Sequence, residues 1–263
     1  MIKYLLTVFF CIILTSCQTT PKNNSKENWI QLFNGKDLKG WIPKIAGHQL
    51  GDNYKNTFRV EDGLLKVSYD GYDTFESRYG HLFYEKPFSH YKILVEYRFV
   101  GEHAFPNVGD WAYRNNGIMM HCQSPQSMGL YQEFPVSLEG QLLGGNGIDE
   151  RPNGNLCTPG LHVLIEDRLE TNHCINSTSK TFHGDDWVTA EFVILGNESM
   201  HHIIEGDTVM SYSKPQIGGD FLPENYPIPD GTLISNGYIS LQSETHPIEF
   251  KTVALMELDS LKN

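Results

Sequence analysis

Cationic side chains are scarce in this chain of 263 residues: 20 Lys and Arg stand against 32 Asp and Glu, for a formal charge of −12. No basic cluster interrupts that balance. The charge argues against a nucleic-acid partner, whose binding rests on Lys and Arg neutralising phosphates. Long helical periodicity is missing too, and no internal repeat or low-complexity block appears beyond residue 28. The apolar run from Tyr4 to Leu14 is too short to span a bilayer, which takes about 20 residues. Cysteine is also sparse. The five cysteines show no zinc-knuckle spacing.

What opens the chain reads as a targeting segment. Met1-Ile2-Lys3 is a short charged start, an apolar run follows, and Leu14-Thr15-Ser16-Cys17 ends it. That ending resembles a bacterial lipoprotein cleavage box. The resemblance implies a signal peptide over residues 1–16, cleavage before Cys17 and a diacylglycerol on its thiol. The mature protein would then be lipid-anchored, facing the periplasm. An ordinary signal peptide with a chance cysteine is the alternative, and export follows from both. Residues 17–28 are rich in Asn, Lys and Thr, too poor in apolar residues to pack, and read as a tether. Loss of Lys3, the one charged residue before Cys17, leaves a mature charge of −13. Cys122, Cys157 and Cys174 then remain for the fold. Cys157 and Cys174 both fall in the loop-rich middle, and that pairing is expected; three buried thiols is the alternative.

From Trp29 onward, short alternating runs are separated by Gly, Asn and Asp turns. Phe58-Arg59-Val60-Glu61-Asp62-Gly63-Leu64-Leu65-Lys66-Val67 reads as strand, turn, strand. In Tyr91–Val100, Ile93, Val95, Tyr97 and Phe99 share one face. Trp187–Leu195 pairs with His201–Tyr212, the latter bent at Glu205-Gly206-Asp207; Phe221–Gly231, with three prolines, is a surface loop. Gly237–Glu244 and Ile248–Leu258 are expected as hairpin neighbours across Thr245-His246-Pro247. Together these predict an all-β, antiparallel sandwich or jelly roll.

Polar groups collect on one predicted sheet face. In Gly117–Cys122, Ile118 and Met120 take one side and Met119 and His121 the other. In Val136–Leu143, Val136, Leu138 and Leu142 oppose Ser137, Glu139 and Gln141. Glu139 and Gln141 then lie about 7 Å apart on one face. His162, between Leu161 and Val163, joins them by the same alternation, as do Gln242 and Glu244 of the closing strand; His246 follows at a turn. Any antiparallel sheet can expose a polar face to water, so alternation alone does not separate a site from a solvated surface.

Six motifs in order narrow the choice. LFNGKDLKGW, FRVEDGLLKV, NGIMMHCQ, SLEGQLLGG, CTPGLHV and GYISLQSETHPIEFKTVALMEL span Trp29 to Leu258. Together they resemble the 3-keto-disaccharide hydrolase domain family. The resemblance implies a single domain over residues 29–263 with a concanavalin-like, laminin-G-like jelly roll. It also implies a carbohydrate substrate, a glycoside oxidised to its 3-keto form, cleaved by hydrolysis or by elimination and hydration. Many members carry an arginine after the strand that here ends in Met120-His121, which points to a subgroup. A 3-keto group acidifies the hydrogen on C2, so the reaction needs a base, an acid and a group that holds the enolate oxygen. His121, Glu139, Glu244 and His246 are the candidates for acid–base work. Gln141, His162, Gln242 and, at the rim, Trp111 are the candidates for substrate binding. A divalent metal on His121 and Glu139 could polarise the ketone. The competing function is a lectin-like module that binds carbohydrate without chemistry, since such sandwiches serve both uses.

Overall fold

The computed structural model describes residues 28–259. The predicted signal peptide, the expected lipidation site Cys17 and all but the last residue of the expected tether lie outside the described residues.

Two antiparallel sheets face each other. The seven-stranded sheet runs in the order Cys174–Ile175, Asn155–Cys157, Leu138–Leu143, Asn115–Cys122, Tyr238–Ser243, Gly80–Tyr84 and Trp41–Ile45. The ten-stranded sheet centres on Val188–Leu195, His90–Phe99 and Ile248–Glu257, flanked by shorter strands and hairpins. The antiparallel sandwich expected from the sequence is what the chain forms.

Strand period explains the packing. In His90–Phe99 every second residue is buried, and Tyr91, Ile93, Val95, Tyr97 and Phe99 enter the core. From the opposite sheet come Ile118, Met120, Leu138, Leu142, Ile239 and Leu241. At Gly140 the sheets approach closely: a Cβ there would stand 2.1 Å from Cε1 of Phe192. The absent side chain makes room for that ring.

Two connections differ from the sequence reading. Asp207–Ile217 does not continue a bent strand; Glu205 and Gly206 close a hairpin between Ser199–Ile204 and Asp207–Ile217. Tyr238–Ser243 and Ile248–Glu257 are not hairpin neighbours either, because they belong to different sheets. Residues 244–247 instead cross from one sheet to the other. Thr245, at φ 92°, turns the chain out of the first sheet, and Pro247 has no N–H to extend a ladder. The expected pairing Cys157–Cys174 is present as a disulfide joining two adjacent strands.

Replacing Gly140 with alanine tests the close approach. Overpacking of this kind costs about 1–3 kcal/mol, so Gly140→Ala should lower the urea midpoint while leaving the slope of the transition unchanged.

Candidate active site

The outer face of the seven-stranded sheet, the one turned away from the sandwich core, carries the site. Pairing aligns its residues in rows. Met119 stands opposite Glu139, which stands opposite Cys157; Gly117 stands opposite Gln141, which stands opposite Asn155; Asn115 stands opposite Leu143. Leu241 pairs with Ile118, so one step along the strand Gln242 falls beside Gly117, and Glu244 beside Asn115. Glu139 and Glu244 therefore start two rows apart. Gly117 lies between those rows, and a Cβ there would stand 2.4 Å from Glu139 Oε1. The Glu139 side chain thus lies across a strip of bare backbone, on the path toward Glu244. Any other residue at 117 would occupy that path.

Both carboxyl groups line one cavity of about 540 Å³, within the size range of small-ligand sites. Glu139 is 5 % exposed and Glu244 4 %. Neither has a cationic partner among the described residues, and Glu244 Oε2 has no hydrogen-bond partner. Burial pushes both pKa values up, and at Glu244 the charge of Glu139 adds to it. Desolvation and mutual repulsion both oppose ionisation of two carboxyls in one cavity.

A chain of amides fixes the polar wall beside them. The backbone N–H of Ser177 donates to Asn155 Oδ1, so Asn155 Nδ2 is left to donate to Gln141 Oε1. Gln141 Nε2 in turn donates to Asn115 Oδ1. With its oxygen occupied, Asn115 presents its Nδ2 donor, and Asn115 lines the cavity. Arg151 is also on the wall, with its guanidinium anchored on the carbonyls of Gly144 and Tyr113. Aromatic and sulfur groups complete the surround: Tyr79, Phe134, Phe221, His173 and the Cys157–Cys174 bridge. Trp111, 49 % exposed, stands at the mouth as expected. Asn115 was not among the sequence candidates. Its one signal was the pair Asn115-Asn116 before Gly117, polar residues in a strand that is otherwise core.

Several other candidates lie elsewhere. His121 does not share the face of Glu139. Between Met119 and Cys122 the strand bulges: Met119 pairs with Ser240 and Cys122 with Tyr238, so Met120 and His121 together oppose the single residue Ile239. A bulge inserts one residue and reverses the alternation. Met119 and Cys122 both pack outward, while Met120 enters the core. His121, at φ 49°, turns inward with it. Its Nε2 donates to the carbonyl of Gly196, in the turn after Val188–Leu195 of the other sheet, 2.8 Å away, and its ring packs edge-on near Tyr91. His121 and Glu139 on opposite sides of a sheet cannot bind one metal ion, so the predicted metal pair is dissolved. His162 belongs to the ten-stranded sheet, opposite Gln216. His246 sits in the crossing, packed against Phe99, His103 and Tyr113, and burial, followed by the charge of Arg114, pushes its pKa down to about 3. The sequence reading of Glu139, Gln141, Gln242 and Glu244 on one face does match the structure. Gln242 is fully buried there, and neither of its amide atoms has a hydrogen-bond partner.

Residues 28–256 match the 3-keto-alpha-glucoside-1,2-lyase-like domain family. The chain belongs to that family. Among solved structures, two provisionally named glycosyl hydrolases from Parabacteroides distasonis are similar. One is 16 % identical with a TM-score of 0.52, over 88 % of this chain and 99 % of that one. The other is 19 % identical with a TM-score of 0.51, over 88 % and 94 %. LamA from Zobellia galactanivorans, in complex with laminaritriose and laminaritetraose, is 10 % identical with a TM-score of 0.50, over 87 % and 97 %. At these identities the likeness is one of fold, the jelly roll. A comparison with curated protein sequences found no match. Membership of that family makes this a carbohydrate-active protein.

The buried pair makes a prediction about stability. A carboxyl whose pKa is raised in the folded chain contributes stability that is full below the ordinary glutamate value of 4.5 and is lost as pH rises through the raised value. Glu139→Gln removes the ionisation and keeps the shape. The variant should melt above the parent at mildly alkaline pH, by about 2–4 °C for each kcal/mol relieved, and the two curves should converge below about pH 4.5. A constant offset at every pH would show that the Glu139 charge is not strained in the fold.

Proposed function

We propose that the protein cleaves 3-keto-glycosides by elimination across C1 and C2 of the oxidised sugar, with Glu139 and Glu244 as its acid–base pair. The observation that carries this reading is the pair itself: two buried carboxyls, close enough to shift one another's titration, on the wall of one cavity. Buried carboxyls whose pKa is raised above the ordinary glutamate range suit proton transfer at a carbon beside a ketone. A lectin-like module would have no use for them, since an unpaired buried charge weakens the fold.

The chemistry balances on that pair. The ionised carboxylate takes the hydrogen from C2, and the electron pair moves to the C3 ketone to form an enolate. As the enolate returns to a ketone, the C1–O bond breaks and the protonated partner gives its proton to the leaving oxygen. The products are a 3-keto sugar with a C1–C2 double bond and the free alcohol or sugar. A single proton has passed through the pair, which ends with one proton as it began. We assign Glu139 as the base and Glu244 as the acid, because Glu244 has two reasons to keep its proton, burial and the charge of Glu139. Asn115 Nδ2 and the Arg151 guanidinium supply the donor and the positive charge that an enolate oxygen needs. Water addition to the double bond would complete a net hydrolysis.

Incubation with a 3-keto-disaccharide and with its unoxidised parent tests this reading. Only the oxidised sugar should react, and in deuterium oxide the proton on C2 should be lost. Glu139→Gln and Glu244→Gln should each lower kcat/KM by about 10²–10⁴. The rate should fall on both sides of an optimum, as the pair gains its second proton or loses its first. Equal turnover of oxidised and parent sugar would rule out the ketone's role, and unchanged rates in both variants would remove the pair from the mechanism.

We further propose that the enzyme works outside the cytoplasm, held by a lipid on Cys17. Cys17→Ala should then move the protein from the membrane fraction to the soluble fraction. Retention in the membrane without that cysteine would mean a different anchor.

A further inference from the structure

Four rings on the wall of the catalytic cavity form a continuous run. Between ring centroids, Tyr79 lies 4.8 Å from Phe134, Phe134 5.5 Å from Phe221, and Phe221 4.7 Å from His173. All four line the cavity. Tyr79 precedes Gly80–Tyr84 and His173 precedes Cys174–Ile175, strands toward opposite flanks of the seven-stranded sheet. The run therefore passes over the sheet from one flank to the other. Packing explains Tyr79, which is 7 % exposed. It does not explain Phe221. That residue is 51 % exposed, and its backbone is at φ 63°, a conformation that suits glycine and is uncommon for a bulky side chain. Strain of this kind persists only where the surroundings enforce it, and it collects at functional sites.

The donors of the cavity lie apart from this run. The amide row of Asn155, Gln141 and Asn115 is on the strands themselves, and Arg151 is held by the carbonyls of Gly144 and Tyr113. Those groups suit the hydroxyls and the ketone of the oxidised sugar. Next to Phe134 the cavity is lined by Glu133, whose charge disfavours an anionic ligand there. Glu244 says which part of the substrate meets the rings. Ser243 pairs with Gly80, so one step on Glu244 falls beside Tyr79. Burial, followed by the charge of Glu244, pushes the Tyr79 hydroxyl up to about 12. As the acid, Glu244 meets the glycosidic oxygen. The group beyond that oxygen is the aglycone, and the wall beyond Glu244 is Tyr79, then Phe134 and Phe221.

We propose that this run of rings is the aglycone subsite, and that it selects 3-keto-glycosides of neutral aromatic alcohols in preference to those of a second sugar. Rings meet an aryl group through stacked or edge-on contacts and gain from burying its apolar faces. A second sugar would bring hydroxyls on every edge, and a wall of rings offers them few partners. The subsite takes its direction from Glu244 as the acid, and so rests on the elimination reading; binding and turnover separate the two.

2-Phenylethyl glucoside and ethyl glucoside, in both anomers, are the probes. Each releases a primary alcohol, so a difference between them reports the fit of the aglycone and not a better leaving group. By titration calorimetry the unoxidised 2-phenylethyl glucoside should bind about tenfold tighter than ethyl glucoside, and tighter than maltose or cellobiose. The 3-keto forms of the two glucosides should keep that order in kcat/KM, again by about tenfold. Phe221→Ala should shrink both preferences by about threefold, and Phe221→Trp, which keeps a ring, should retain them. Leu169→Ala, at an exposed residue of the other sheet, should alter neither. Equal binding of the two glucosides, tighter binding of a disaccharide, or preferences that survive Phe221→Ala would each overturn the subsite. A binding preference without turnover of either 3-keto-glycoside would support the subsite and remove the elimination.

Discussion

Two carboxyl groups kept out of water with no ion-pair partner among the described residues are the constraint around which the site is arranged. Desolvation opposes their ionisation, and each charge opposes the other. A surface pair would relax by turning into solvent. Here the side chains cannot turn away, because the seven-stranded sheet lies behind them and aromatic rings and the Cys157–Cys174 bridge stand around them. The sandwich supplies the rigidity: Ile118, Met120, Leu138 and Leu241 on the inner face lock the same strands whose outer face carries Glu139 and Glu244.

Glycine placement makes that arrangement possible on both sides of the sheet. Gly140 admits the Phe192 ring from the core, and Gly117 leaves a lane for the Glu139 side chain on the outer face. The two lie on adjacent strands, with Gly140 opposite Ile118 and Gly117 opposite Gln141. A glycine inside a strand weakens it through lost side-chain packing. At these two positions the missing side chain is replaced by a neighbour's, so the sheet stays filled while its surface acquires a particular shape. The amide chain from Ser177 through Asn155 and Gln141 to Asn115 adds orientation. One backbone donor at its start decides which way every amide in the row points.

The bulge after Met119 separates two chemistries that the strand pattern would have merged. Above it the strand contributes Asn115 and Gly117 to the catalytic face; at its end His121 passes through to the other side and meets Gly196. The crossing at residues 244–247 acts in a similar way. Glu244 stays with the catalytic face, and His246, two residues on, is sealed among aromatic rings between the sheets. Both local irregularities remove a histidine from the carboxyl pair. The acid–base apparatus is left with two groups of one kind, set apart by who holds the proton.

Much of this was legible from residue order alone. Period-two alternation identified the core faces of Tyr91–Val100 and Val136–Leu143, put Glu139 and Gln141 together, and added Gln242 and Glu244, because alternation is a local property of extended chain. The disulfide was also anticipated, from two cysteines in one loop-rich region. What the order of residues could not carry was anything that depends on a partner strand. A bulge is defined by two residues opposing one, so His121 read as facing Glu139 until Tyr238 and Ser240 were paired to its strand. The sheet membership of Ile248–Glu257 was hidden for the same reason: a short connection fits a hairpin or a crossing between sheets equally well. The burial that raises both carboxyl pKa values arises from residues as distant in sequence as Tyr79 and Phe221. Local periodicity determined which side chains point outward; only tertiary pairing decided which of them meet, and how far from water.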